Sequence, residues 1–111
     1  MDTRQAVASL AALAQDSRLR VYRLLVEAGP TGLAVGEIGA SLKVAPATLS
    51  FHLKELEHAG LIVQRRESRN IIYAARYERM RQLLSYLTKD CCGGHPEICD
   101  MPPSKVRCNA D

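Results

Sequence analysis

Four cysteines fall within the last 21 residues of this 111-residue chain: Cys91 and Cys92 side by side, Cys99 after six intervening residues, and Cys108. Thiolates at such spacing bind thiophilic ions or respond to redox state. In the reducing cytosol expected for this chain they are better read as ligands or redox sensors than as structural disulfides. His95 lies inside the cluster, so Cys91, Cys92, His95 and Cys99 together also make up a common zinc ligand set.

A second group of chemically able residues lies at 47–54. On a wheel of about 100° per residue, Leu49, Leu53 and Leu56 point inward. Ala47, Thr48, Ser50, Phe51 and Lys54 cover the outer face, and His52 flanks the buried stripe. Small hydroxyls near a helix N-terminus bind phosphate or base edges, and Ala, Thr or Phe can touch a thymine methyl. His52 has two readings, a histidine bonded within the domain or a phosphate contact. Arg65, Arg66 and Arg69 cluster nearby, either as solubility residues or, beside such a helix, as contacts to a nucleic-acid backbone. The net charge is only +3, but residues 43–81 hold eight Lys or Arg against four Glu, the footprint of a polyanion-binding face.

These groups need a scaffold. A chain of this length with 47% hydrophobic residues, no tryptophan and one phenylalanine has the makings of one compact, mainly helical domain with an aliphatic core, and no room for a separate catalytic module. Val7, Leu10, Ala11 and Ala14 recur at helical spacing. Asp16 stands as the N-cap of a second helix carrying Val21, Leu24, Leu25 and Ala28, which Gly29-Pro30 stops. A short third helix fits 34–42, and Lys43-Val44-Ala45 is the turn before a fourth helix that starts at Pro46 and ends at Gly60. The runs 61–66 and 70–75, separated by Glu67-Ser68-Arg69, read as a β-hairpin wing. A last helix over about 76–90 puts Met80, Leu83, Leu84 and Leu87 on one stripe, which Cys91 continues. Residues 1–90 are thus expected to form a DNA-binding domain and residues 91–111 an irregular tail. No signal-peptide or membrane-span pattern is present, and a cytoplasmic protein is expected.

The stretches Asp16-Ser17-Arg18-Leu19-Arg20 and Leu49-Ser50-Phe51-His52-Leu53-Lys54-Glu55-Leu56-Glu57-His58-Ala59-Gly60-Leu61 resemble the ArsR/SmtB family of metal-responsive repressors, over roughly residues 5–90. The resemblance implies a winged helix-turn-helix with five helices. It also implies a homodimer joined through the first and last helices, with the helix of Ser50 and His52 entering the major groove of double-stranded operator DNA. The positions matching the family's Cys-Val-Cys arsenic motif are Ala34-Val35-Gly36, and 76–90 lacks the Asp/His set of its zinc and cadmium sites. The cluster at 91–99 is instead similar to a subgroup with a C-terminal Cys-Cys pair and a third cysteine. This implies Cys91, Cys92 and Cys99 as ligands of arsenite, As(III), or of Sb(III), with Cys108 a bystander. A divalent zinc or cadmium sensor and a thiol-redox repressor are the alternatives. An enzyme is not expected: no oriented base accompanies the thiols, and Cys91 and Cys92 sit near a helix C-terminus, where a low-pKa nucleophile is disfavoured.

Overall fold

The computed structural model describes residues 1–89. The tail and its candidate ligands Cys91, Cys92, His95 and Cys99, with Cys108, lie outside the described residues. Five helices and a small antiparallel sheet follow one another as α1 (Thr3–Leu13), α2 (Asp16–Ala28), β1 (Leu33–Ala34), α3 (Val35–Leu42), α4 (Pro46–His58), β2 (Ile62–Glu67), β3 (Asn70–Ala75) and α5 (Tyr77–Thr88). This is the expected mainly helical winged helix-turn-helix.

Local chemistry sets the boundaries. Asp2 and Gln5 form a reciprocal capping box that starts α1. The N-cap of α2 is Gln15, whose side chain accepts from the Arg18 amide at 3.0 Å, so the expected cap Asp16 is instead the first helical residue. There its carboxylate faces the positive end of the helix dipole. Ala34 has no side chain to cap α3, and Glu37 compensates by accepting from the Ala34 amide at 2.8 Å. The turn into α4 holds Lys43 at φ 55°, a left-handed conformation unusual for a residue with a Cβ. Gly60, at φ 79°, ends α4, and the Leu61 amide closes back on the Leu56 carbonyl at 3.1 Å.

The core joins Val21, Tyr22 and Leu25 of α2, Ile38 of α3, Leu49, Leu53 and Leu56 of α4, and Leu61, Ile62, Tyr73 and Ala75 of the sheet region. Thus α4 is fixed along one side by four other elements. Tyr77 donates from α5 to the Val26 carbonyl at 2.9 Å, and the Thr3 and Tyr86 hydroxyls join α1 to α5.

Three features differ from the expectation. The hairpin gains a third strand, in the order β1-β3-β2, because Leu33 and Ala34 pair with Tyr73 and Ile72. Gly32 permits this approach: at φ 73°, a Cβ there would lie 2.3 Å from the Tyr73 carbonyl oxygen. In α1 the inward residues are Ala6, Ser9 and Ala12, whereas Val7 and Leu10 of the sequence stripe are 58% and 43% exposed. In α5 only Leu83 is buried, Leu84 and Leu87 are 54% and 52% exposed, and the helix ends at Thr88 because Lys89 turns to ψ 132°.

Candidate nucleic-acid interface

Helix α4 divides as its sequence wheel requires. Leu49, Leu53 and Leu56 are buried, and Ala47, Thr48, Ser50, Phe51 and Lys54 are exposed along the opposite face. Phe51 exposes 56% of its surface, a cost in water that contact with another molecule would recover. No side chain caps the α4 N-terminus, where Pro46 occupies the first turn and so removes one orphan amide.

His52 is 6% exposed, so its imidazole belongs to the domain interior and not to the outer face. Its ring lies 5.8 Å from that of Phe51, and its Nδ1 has no hydrogen-bond partner in the described structure. Burial, and secondarily the positive charge of Arg18, holds the imidazole below the ordinary histidine value of 6.5. The ring is thus inside the domain, but its Nδ1 makes none of the bonds that the first sequence reading expects.

Arg18 was legible only as part of a resemblance, and the structure gives it a task. Its guanidinium reaches from α2 to α4, 3.6 Å from the Glu55 carboxylate and 6.0 Å from the centre of the Phe51 ring. One residue thereby ties α2 to α4 by charge and sets a cation at the outer edge of cation–π range from the exposed aromatic.

The wing stands beside α4, with Glu67 and Asn70 paired next to its tip. Its base is tied to α4 by Gln64, whose Nε2 donates to both Glu57 carboxylate oxygens at 3.1 and 3.0 Å. Between them runs a groove of about 530 Å³, lined by Ser50, Lys54 and Glu57 on one wall and Gln64, Arg69 and Asn70 on the other. Arg66 and Arg69 are exposed on the wing. Arg65 is exposed too but differs from them in its bonds: its Nε donates to Glu67 at 2.7 Å, Nη1 to the Pro30 carbonyl at 3.3 Å and Nη2 to the Thr31 carbonyl at 2.6 Å. The structure therefore brings Thr48, Ser50, Phe51, Lys54, Arg66 and Arg69 to accessible positions while His52 is buried and Arg65 is engaged within the chain. The Gln64–Glu57 tie and the Arg65 contacts had no sequence signal beyond a long polar side chain on a strand.

An uncapped, outward-facing helix braced from behind and flanked by a basic hairpin defines the class, a winged helix-turn-helix DNA-binding regulator. Comparison with known proteins agrees. A family profile described as a helix-turn-helix domain matches residues 13–65. The uncharacterized HTH-type transcriptional regulator YceK of Bacillus subtilis (strain 168) is 34% identical over 73 residues, covering 66% of this chain and 72% of that protein. Among solved structures, the homodimeric winged helix-turn-helix DNA-binding domain of a possible ArsR-family regulator from Mycobacterium bovis superposes with a TM-score of 0.64 at 26% identity, over 83% of this chain and 85% of that one. A possible transcriptional regulator for arsenical resistance gives a TM-score of 0.61 at 26% identity, over 71% and 79%. The chain belongs to the helix-turn-helix transcriptional regulators, which are not enzymes, and it shares its fold with the possible ArsR-family regulator.

Proposed function

We propose that this regulator is a homodimeric repressor that releases its operator when trivalent arsenic, or antimony, is held by the thiolates of Cys91, Cys92 and Cys99. The observation that carries the reading is the place of the cysteines. All four occur at 91–108, shortly after the helix that exposes Leu84 and Leu87. Among the described residues no group of three or more His, Cys, Asp or Glu is arranged to hold an ion. The solved relative named for arsenical resistance supports the same reading.

The donor set fits the inducer. Trivalent arsenic makes three bonds and keeps a lone pair, so three thiolates saturate it and leave a neutral complex. Gly93 and Gly94 between the pair and Cys99 lower the closure cost of so short a loop. When bound, the metalloid would supply a crosslink among three sulfurs. The chain's own part is to supply those sulfurs shortly after α5 in the sequence, and to carry any change there to α4.

The dimer reading rests on α1 and α5. Each exposes an apolar pair, Val7 with Leu10 and Leu84 with Leu87, and the Thr3–Tyr86 contact joins the two helices. Two such protomers must present their α4 helices to successive major grooves about 34 Å apart, so small rotations at the interface misplace them. Coupling of about 1–3 kcal/mol is typical of allostery, and tight repression requires the upper end.

The test is fluorescence anisotropy of the protein on operator DNA under strong reductant, titrated with arsenite or Zn²⁺. The proposal expects arsenite to release DNA at the lower concentration. Release by Zn²⁺ first, lost in His95→Ala, would establish the zinc alternative. Release by oxidant alone, with arsenite inert, would establish the redox one.

A further inference from the structure

We infer that Arg65 is a positioning residue that fixes the angle of the wing and does not itself contact phosphate. The inference rests on the reading that α4 and the wing bind DNA together.

Strand register shows why a tie is needed at this point. The sheet order is β1-β3-β2, and β1 pairs with β3 only at Ile72 and Tyr73. Beyond Ile72 towards the tip, β3 has a partner on one side alone, through the pairs Arg66–Ile71 and Glu67–Asn70. A two-stranded ribbon is marginal on its own and twists readily. Arg65 is the β2 residue opposite Ile72, at the last rung where the sheet has three strands.

From there its side chain spans the sheet to the loop that leads into β1. Nη1 and Nη2 donate to the Pro30 and Thr31 carbonyls, and Nε donates to Glu67. The loop is a firm anchor, since Gly32 presses against the Tyr73 carbonyl so closely that no Cβ fits. Each guanidinium nitrogen thus makes one bond within the chain, which leaves two of the five N–H donors over, and the Glu67 carboxylate offsets the charge that would draw a phosphate. Arg66 and Arg69 lie beyond the tie and carry no ion pair among the described residues. Arg65 sets where those two arginines meet the backbone.

The test compares Arg65→Lys, Arg65→Gln and the pair Arg66→Ala with Arg69→Ala, alone and combined, by operator affinity against salt concentration. Lysine keeps the charge but cannot serve two carbonyls and a carboxylate at once. Circular dichroism at the assay temperature checks that each variant is folded. Each lost phosphate contact lowers the slope of log K against log salt by about 0.9. We expect Arg66→Ala with Arg69→Ala to lower the slope by about two such steps per protomer. Arg65→Lys and Arg65→Gln should each move the slope in that direction, and neither should add anything in the doubly substituted background. The inference is overturned if Arg65→Lys behaves as wild type while Arg65→Gln loses one step in both backgrounds, which is the signature of a direct phosphate contact. It is equally overturned if neither Arg65 variant changes binding. If Arg66→Ala with Arg69→Ala leaves affinity and slope unchanged, the wing does not reach DNA, and that separate failure removes the premise.

Discussion

Removing two hydroxyls from α4, Thr48→Ala with Ser50→Ala, should erase operator specificity without harming the fold. Both side chains are exposed and make no hydrogen bond within the described structure, so their loss costs stability no more than about 0.5 kcal/mol. Alanine is also the better helix former at both positions. On DNA the loss is counted four times, two hydroxyls in each of two protomers. At about 1 kcal/mol for each hydrogen bond the dimer forfeits about 4 kcal/mol, or roughly a thousandfold in affinity. Specific binding typically exceeds non-specific binding by about 4–10 kcal/mol, so the variant should bind operator and scrambled DNA nearly alike. Fluorescence anisotropy on both duplexes at one fixed salt concentration measures this, and urea unfolding monitors the fold. Operator affinity within threefold of wild type, with an unchanged unfolding midpoint, would refute α4 as the reading helix.

The valence of arsenic divides the cysteines: Cys99→Ser should lose most of its response to arsenite yet keep its response to a phenyl arsenical, which needs only two sulfurs, as read by DNA release. Cys108→Ser should respond to both like wild type. Burial lowers the His52 pKa in the folded protein, so the unfolded chain takes up the proton first. Stability is then fully present above the unfolded value near 6.5 and falls as pH drops below it, by at most about 1.4 kcal/mol per pH unit for one proton. Urea midpoints between pH 5 and 7.5 should show this slope, and His52→Gln should flatten it. Leu87→Glu places a charge on an apolar face of α5 where Leu87 is 52% exposed and should weaken dimerisation by at least about tenfold, since it removes about half of the roughly 1.5–3 kcal/mol of a full side-chain burial from each of two protomers. Sedimentation equilibrium reads the change.

The order and kind of the elements were legible because aliphatic spacing is strong: all three leucines of the α4 wheel, Leu49, Leu53 and Leu56, are buried, with His52 beside them. Gly60 and Pro46 marked the ends of that helix for reasons of backbone geometry alone. The strand β1 was not legible, because two residues carry no period and their pairing depends on Gly32 approaching a strand 41 positions away in the chain. In α1 and α5 the stripe was visible but its direction was not. Periodicity reports that a face is apolar, and it does not distinguish a face turned to the core from one left exposed, as Val7, Leu10, Leu84 and Leu87 show. In the candidate interface, the exposed α4 residues followed from the wheel. The burial of His52 and the ties made by Arg65 depend on long-range neighbours that no local pattern encodes.

The central claim is that inducer sensing resides in the cysteine tail while operator binding resides in the domain before it. A protein of residues 1–90, titrated with arsenite on operator DNA beside the full chain, tests it most directly. The account predicts that the full chain leaves the DNA and that the shortened protein, bound with unchanged affinity, stays at every arsenite concentration. Release of the shortened protein over the same range would place the sensor elsewhere and contradict the claim.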